Sequence, residues 1–291
     1  MHQKPFLKWP GGKFRLLERI MAHVQTPVRH WHEPFLGSGA VFLNVEAEQY
    51  TLADANPDLI GLYQTLKQEG HEFVCYVKKF FTPETNTSEE YYRLRRAFNE
   101  STCVRERSAL FIYMNRHGFN GLCRYNQKGI FNVPFGSYRA PYFPEDEMLA
   151  FHKKAQRATF SCQDFKTFFV GVDAQSMIYC DPPYVPLSES AAFTKYTKGG
   201  FGLKDQEDLA VLAKLSAAQG APVLVSNHDT PLVRQLYAGA LIETFPVMRT
   251  IAASNEGRKD VQEILALFLP HHDTVAPGRD HTHCNGRITA V

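Results

Sequence analysis

The 291-residue sequence predicts an α/β fold: a mostly parallel, doubly wound sheet interrupted by a mainly helical insert. Three observations carry this. Short apolar runs near 29–35, 50–54, 158–162, 177–181, 222–227, 242–248 and 262–268 read as strands, with helical patterns between most of them, for instance at 13–24, 39–48 and 204–219. Residues 57–145 break this alternation; they are helical in pattern at 57–80 and 88–116, then rich in Gly, Asn and aromatics. The last two strands are joined by a loop too short for a helical crossover, which predicts an antiparallel pair.

Each element has a local reason. Phe6-Leu7-Lys8-Trp9-Pro10-Gly11-Gly12-Lys13 opens the chain and leads into the first helix. The first strand runs into Glu33-Pro34-Phe35-Leu36-Gly37-Ser38-Gly39, ahead of the apolar Ala40-Val41-Phe42-Leu43. Gly37 and Gly39 permit a tight turn and a close approach to a ligand, and a helix starting there would point its free N–H groups at that ligand. Tyr50-Thr51-Leu52-Ala53 forms the second strand and ends in Asp54, well placed for ribose hydroxyls. Position 42 is Phe, so the third glycine of a dinucleotide fingerprint is missing. A nucleoside without a pyrophosphate fits better. Ala158–Cys162 is the third strand, followed by Asp164 and Phe165.

Met177-Ile178-Tyr179-Cys180 reads as a buried strand and runs into Asp181-Pro182-Pro183-Tyr184. An acid, two prolines and an aromatic suit chemistry on a planar amino group. The carboxylate accepts one N–H. Pro182 lacks an N–H, so its carbonyl accepts without a competing donor beside it. The prolines fix the loop, and Tyr184 can stack on the ring that carries the amine. The bland alternative is a rigid turn with Tyr184 as ordinary packing.

Together these motifs resemble the S-adenosylmethionine-dependent DNA adenine-N6 methyltransferases. The order of cofactor motif, long insert and Asp181-Pro182-Pro183-Tyr184 is that of the alpha class. Within it the chain is similar to the Dam family, which methylates adenine in GATC, from about residue 5 to about residue 270. The segments from Asn115 to Asn126 and from Phe131 to Gly136 carry most of that specificity. The resemblance implies a Rossmann-like methyltransferase sheet, mostly parallel with an antiparallel terminal hairpin, plus an inserted, mainly helical DNA-recognition module. Residues 1–56 and 146–270 would form the catalytic domain, 57–145 the target-recognition domain and 271–291 a disordered tail.

The resemblance also implies roles. Asp181, Pro182, Pro183 and Tyr184 would act on an adenine flipped out of double-stranded DNA, with S-adenosylmethionine as cofactor and no metal. Trp9, Lys13, Phe35, Gly37, Ser38, Gly39, Asp54, Asp164, Phe165 and Asp181 would line the cofactor site. Lys13 would pair with the methionine carboxylate, Trp9 would line the same end, and Asp54 would hold the ribose. Asp164 and Phe165 would meet the adenine, unless Asp164 is a helix N-cap. Lys8, Phe119, Asn120, Leu122, Arg124, Pro134 and Tyr138 would contact DNA. Phe119 is the expected wedge, or else core of the module; the family's commonest residue there is Tyr, so any hydroxyl contact is lost. Arg124 suits a guanine edge, or else a phosphate. Leu122 and Pro134 suit a thymine methyl, and Lys8 the first guanine. The basic segment 249–259 would grip phosphates or be a plain hairpin loop.

Composition agrees with a nucleic-acid partner. The net charge is only +2, yet residues 91–139 hold eight Arg and one Lys against Glu100 and Glu106, a local excess of +7 that leaves −5 elsewhere. Six scattered cysteines without a Cys-x-x-Cys pair predict reduced thiols and no zinc site. No apolar run is long enough to cross a bilayer, and Met1-His2-Gln3-Lys4-Pro5 is no signal region, which predicts a cytoplasmic protein with no membrane partner; a monomer is the default expectation for an enzyme that reads a short site. Two rivals stand beside this reading: an enzyme acting on adenine in RNA or on a glutamine side chain, and a catalytically silent DNA-binding protein.

Overall fold

The strands Val28–Glu33 (β1), Ala47–Asp54 (β2), Ala158–Cys162 (β3), Ser176–Cys180 (β4), Val223–His228 (β5), Leu241–Val247 (β6) and Val261–Phe268 (β7) form one sheet in the order β3-β2-β1-β4-β5-β7-β6. β1 to β5 pair parallel; β7 is antiparallel to both its neighbours, β5 and β6. This is the expected Rossmann-like sheet with an antiparallel terminal hairpin. The computed structural model describes residues 2–24, 26–185, 201–247 and 261–270. The segment 249–259 and the tail 271–291 lie outside the described residues.

Strand composition follows strand position. β4 is buried at all five residues and β5 at its first five, as a parallel sheet covered on both faces requires. Chain order reverses beside β1: β2 and β3 lie on one side and β4 on the other. That reversal opens a crevice at the C-terminal ends of β1 and β4, where ligands bind in open α/β sheets.

The helices are Leu17–Ala22 (α1), Pro57–Glu69 (α2), His71–Lys78 (α3), Ser88–Glu100 (α4), Val104–His117 (α5), Glu145–Ala155 (α6), Phe165–Phe168 (α7), Leu203–Ala218 (α8) and Pro231–Leu236 (α9). α2 starts where Asn56 accepts the N–H groups of Asp58 and Leu59, with Pro57 in the first turn. α2 and α3 part at Gly70, whose φ of +53° suits glycine and where a Cβ would meet the His152 ring at 2.8 Å. α5 is buried from Ser108 to His117, with the apolar run Ala109 to Met114 at its centre, as befits a helix packed on several sides. Apolar side chains of α2 to α5 and of the sheet form one continuous cluster that includes Trp31, Tyr63, Phe73, Tyr91, Phe98 and Tyr179.

The helix expected over 39–48 does not form. Gly39 sits at φ +70°, Ala40 to Leu43 are buried without a polar face, and β2 already begins at Ala47. The chain instead makes single turns, Leu43 N–H to Gly39 and Val45 N–H to Val41, with the Asn44 amide tied to Ala40 and Gln3. The glycine loop is therefore not a helix N-terminus. Its amides are spoken for locally: Gly37 donates to Asp54, and Gly39 to Leu36.

Candidate active site

Asp181 leaves β4 at the crevice. Its Oδ1 receives Lys13 Nζ at 2.8 Å and Ser226 Oγ at 2.9 Å. Lys13, buried, also donates to the Gly11 carbonyl at 2.8 Å and lies 4.7 Å from the centre of the Tyr184 ring. The Tyr184 hydroxyl donates to Glu263 Oε2 at 3.2 Å, and the His228 ring meets Tyr184 edge-on at 4.8 Å. Burial, with the nearby charges of Asp181 and Glu263, holds the Tyr184 hydroxyl well above the ordinary tyrosine range, so it stays protonated. Of the two proline carbonyls, that of Pro183 accepts from Gln206 Nε2 at 2.7 Å.

The glycine loop stands beside this cluster. A Cβ on Gly37 would lie 3.0 Å from Trp9 Nε1, so Trp9 packs directly on bare backbone, with φ +50°. Tyr63 donates its hydroxyl to the Gly37 carbonyl at 2.6 Å, and Ser38 is buried. Asp54 bridges the ends of β1 and β2: Oδ2 accepts from Gly37 N at 3.0 Å and Oδ1 from Asn56 N at 2.9 Å. Burial raises its carboxyl above the ordinary range, and these N–H bonds pull against the rise. At the end of β3, Phe165 packs 5.4 Å from Phe35 and 5.3 Å from Phe201. Asp164 caps α7, accepting Lys166 N at 2.8 Å, which is the second of its two sequence readings.

Some of the residues expected to meet DNA touch one another: Lys8 and Asn120 meet Tyr138, and Phe119 meets Pro134. Asn120 donates its N–H to the Tyr138 hydroxyl at 2.9 Å, and Phe119 its N–H to the Pro134 carbonyl at 2.9 Å. Lys8 Nζ lies 4.6 Å from the Tyr138 ring centre. Phe119 is 48% exposed, so it is not core. Arg124 is exposed and held by Asn132, through Nε to Oδ1 at 2.8 Å and Nη2 to the carbonyl at 3.2 Å. Leu122 is half-buried and Pro134 exposed.

The Asn115 amide ties the N-terminal segment to this surface. Asn115 accepts the N–H of Lys8 at 2.9 Å and donates to the carbonyls of Lys8 at 2.8 Å and Gly121 at 3.1 Å. Lys8 thus packs beside Tyr138 and Gly121, while Trp9 and Lys13, one and five positions on, reach Gly37 and Asp181.

Comparison with known proteins decides the class. Residues 9–251 match the model of the D12 class N6 adenine-specific DNA methyltransferases. The chain belongs to that family. It is 52% identical over 270 residues to the DNA adenine methylase of Vibrio cholerae, covering 92% of this chain and 97% of the relative. It is 46% identical over 267 residues to that of Escherichia coli K12 and 48% over 270 to that of Haemophilus influenzae, with 92% of this chain covered in each case and 96% and 94% of the relatives.

Sequence reasoning missed several residues of this D12 methyltransferase. Ser226, Glu263 and Gln206 reach the Asp181–Tyr184 loop from β5, β7 and α8, and Asn227 reaches Val185 just beyond it, at separations no spacing rule could join. The charge count also overstated the free basic charge. Arg93, Arg105 and Arg107 pair with Glu90, Glu69 and Asp58, all lying before the counted window, and Arg116 is buried against the Phe6 carbonyl. Among the described residues no group of three or more His, Cys, Asp or Glu could hold a metal, and no helix is long and apolar enough to cross a membrane.

Glu33, at the end of β1, is buried and accepts Trp31 Nε1 at 2.7 Å. Burial pushes its carboxyl up to about 8; the bond from Trp31 opposes this and the negative charge of Asp181 adds to it. A carboxyl that holds its proton more tightly when folded favours the fold fully below its ordinary value near 4.5, and that contribution is lost as pH rises towards 8. Glu33→Gln keeps the acceptor for Trp31 and removes the titration. The variant's Tm should therefore decline less than the wild type's between about pH 4.5 and 8. Parallel declines would reject this account.

Proposed function

We propose that this methyltransferase transfers the methyl of S-adenosylmethionine to N6 of an adenine flipped out of duplex DNA, within GATC. The observation that carries the reading is the Asp181–Lys13–Tyr184 cluster at the sheet's switch point, with Lys13 five positions after Lys8, whose backbone Asn115 ties to Gly121 beside Phe119. Similarity to proteins named DNA adenine methylase supports the base and the polymer. We read residues 57–145 as the recognition segment, set into a catalytic unit of 1–56 and 146–270.

The donor set fits the cofactor. S-adenosylmethionine, when bound, supplies a methyl activated on a sulfonium. Gly37 lets Trp9 pack against bare backbone at the loop, and Gly39 and Ser38 complete it. Lys13 offers a cation for a carboxylate, Asp54 two oxygens for ribose hydroxyls, and Phe35 with Phe165 an apolar wall. Asp164 stands beside that wall with one oxygen engaged as a cap.

The chain's own task is placement and polarisation. The adenine amine is a weak nucleophile because its lone pair is delocalised into the ring. Both contacts that hold Asp181 go to Oδ1, which leaves Oδ2 for one amine N–H. With the Pro183 carbonyl engaged by Gln206, the Pro182 carbonyl takes the other. Accepting both bonds directs the lone pair at the methyl and stabilises the charge that develops on nitrogen. Tyr184 stacks on the base.

The test supplies purified protein with S-adenosylmethionine and unmethylated genomic DNA and maps N6-methyladenine by sequencing. Modification at GATC supports enzyme, base and site together. Modification elsewhere keeps the chemistry and removes the roles of Lys8, Leu122, Arg124 and Pro134. No modification with cofactor bound would reject the reading in favour of an RNA or protein substrate or a silent binder.

Phe119 supplies a second test. A flipped base leaves a gap in the stack, and unstacking costs a few kcal/mol, least where the base is already unpaired. Phe119→Ala should slow single-turnover methylation of a matched duplex and slow it much less when the target adenine is mismatched. Equal slowing on both would reject the wedge.

A further inference from the structure

The Asp181–Tyr184 loop makes few hydrogen bonds of its own, because Pro182 and Pro183 carry no N–H. Its shape is imposed from outside by side chains of α8 and β5. Gln206 on α8 and Asn227 on β5 are 1% and 0% exposed. Gln206 Nε2 donates to the Pro183 carbonyl at 2.7 Å, while its Oε1 accepts from Asn227 Nδ2 at 3.0 Å. Asn227 Oδ1 accepts the N–H groups of Val185 at 3.2 Å and His228 at 2.9 Å, and its Nδ2 also reaches the Tyr237 hydroxyl at 3.1 Å. The Asn227 amide thereby uses both donors and both acceptor positions. His228 Nδ1 meets the Val185 carbonyl at 2.7 Å, and Ser226 holds Asp181 at the loop's other end.

We propose that Gln206 and Asn227 are positioning residues for methyl transfer, clamping the loop so that Asp181 and the Pro182 carbonyl converge on one amine. The inference rests on the proposed function. Gluing the fold together would need only that these buried amides be satisfied. Here they are satisfied by the loop that carries the acceptors, and Gln206 occupies the one proline carbonyl that could compete with that of Pro182. A loop displaced by an ångström leaves cofactor and DNA binding in place and costs turnover, on the order of 10²-fold.

Gln206→Glu separates positioning from packing. The glutamate keeps size and the acceptor for Asn227, but its ionised form sets an oxygen against the Pro183 carbonyl; protonation restores the donor. The titratable groups around it are Asp205 and Asp208 on its own helix, Lys166 of α7, Tyr237 beside α9, Asp181 and Tyr184 in the loop and His228 of β5. All are common to wild type and variant, so the ratio of the two isolates the new carboxyl. Expected is a kcat of Gln206→Glu that drops about 10²-fold at high pH and recovers towards wild type as pH falls, with KM for DNA and affinity for S-adenosylhomocysteine unchanged. Gln206→Met, lacking donor and acceptor, should show the drop at every pH. Should Gln206→Glu fail to fold, Gln206→Met alone decides through its kcat. Wild-type kcat in the folded variants, or a loss confined to Tm, overturns the positioning role. An inactive wild type would instead reject the proposed function.

Discussion

Asp181→Ala should cut methyl transfer by more than about 10³-fold, since it removes both an acceptor for the amine and the charge facing the developing cation. The same change strands Lys13, a buried cation whose other partners are the Gly11 carbonyl and the Tyr184 ring. A buried charge deprived of its partner is destabilising. Asp181→Asn is therefore the companion variant: its amide oxygen still serves Lys13 and Ser226, while the anion is gone. Transfer from labelled cofactor should collapse in both, with far-UV circular dichroism unchanged in Asp181→Asn. Lys13 then faces a neutral amide in place of an anion and stays available to a carboxylate, so cofactor affinity should hold or rise. Near-normal turnover in Asp181→Asn would remove Asp181 from the chemistry.

Much of the sheet was legible because a covered parallel sheet writes itself as short, nearly all-apolar strands; Met177 to Cys180 and Val223 to Val225 are buried throughout. The antiparallel end was legible from a loop length alone. The error over 39–48 has the same root. Ala40 to Leu43 is apolar and directly follows glycine, and an apolar run too short to show a period reads as a helix or as packed turns with equal ease. Only the φ of Gly39 and the early start of β2 decide it. The site was legible where chemistry is concentrated in one stretch, as at Asp181 to Tyr184. It was illegible where partners converge from distant strands. Lys13 lies 168 positions before Asp181, and Ser226 lies 45 positions after it, yet both bond one oxygen. The charge reading failed in degree because ion pairing is spatial: Asp58 neutralises Arg107 across 49 positions.

Arg124→Ala should relax discrimination at one base pair of the recognition site by roughly 1–3 kcal/mol while leaving methylation at the preferred base largely intact at saturating DNA. The geometry favours base reading over phosphate contact. Asn132 occupies Nε and one Nη2 hydrogen, so three of the five guanidinium donors remain, and the Nη1–Nη2 end is free of these bonds. That end is the fork that matches guanine O6 and N7. Pinning at Nε also removes rotamer freedom that a phosphate contact would not require, since a phosphate accepts from many directions. The flanking residues are fixed as well: Tyr125 donates to Asp58 Oδ2 at 2.6 Å, and Cys123 Sγ meets Asn56 Nδ2 at 3.6 Å. Measured kcat/KM on GATC and on its single-base variants gives the answer. A phosphate contact would weaken binding to every sequence alike and lower the salt slope by about 1, and that pattern would return Arg124 to the backbone. Loss at a single position, with the slope unchanged, identifies the base pair this arginine reads.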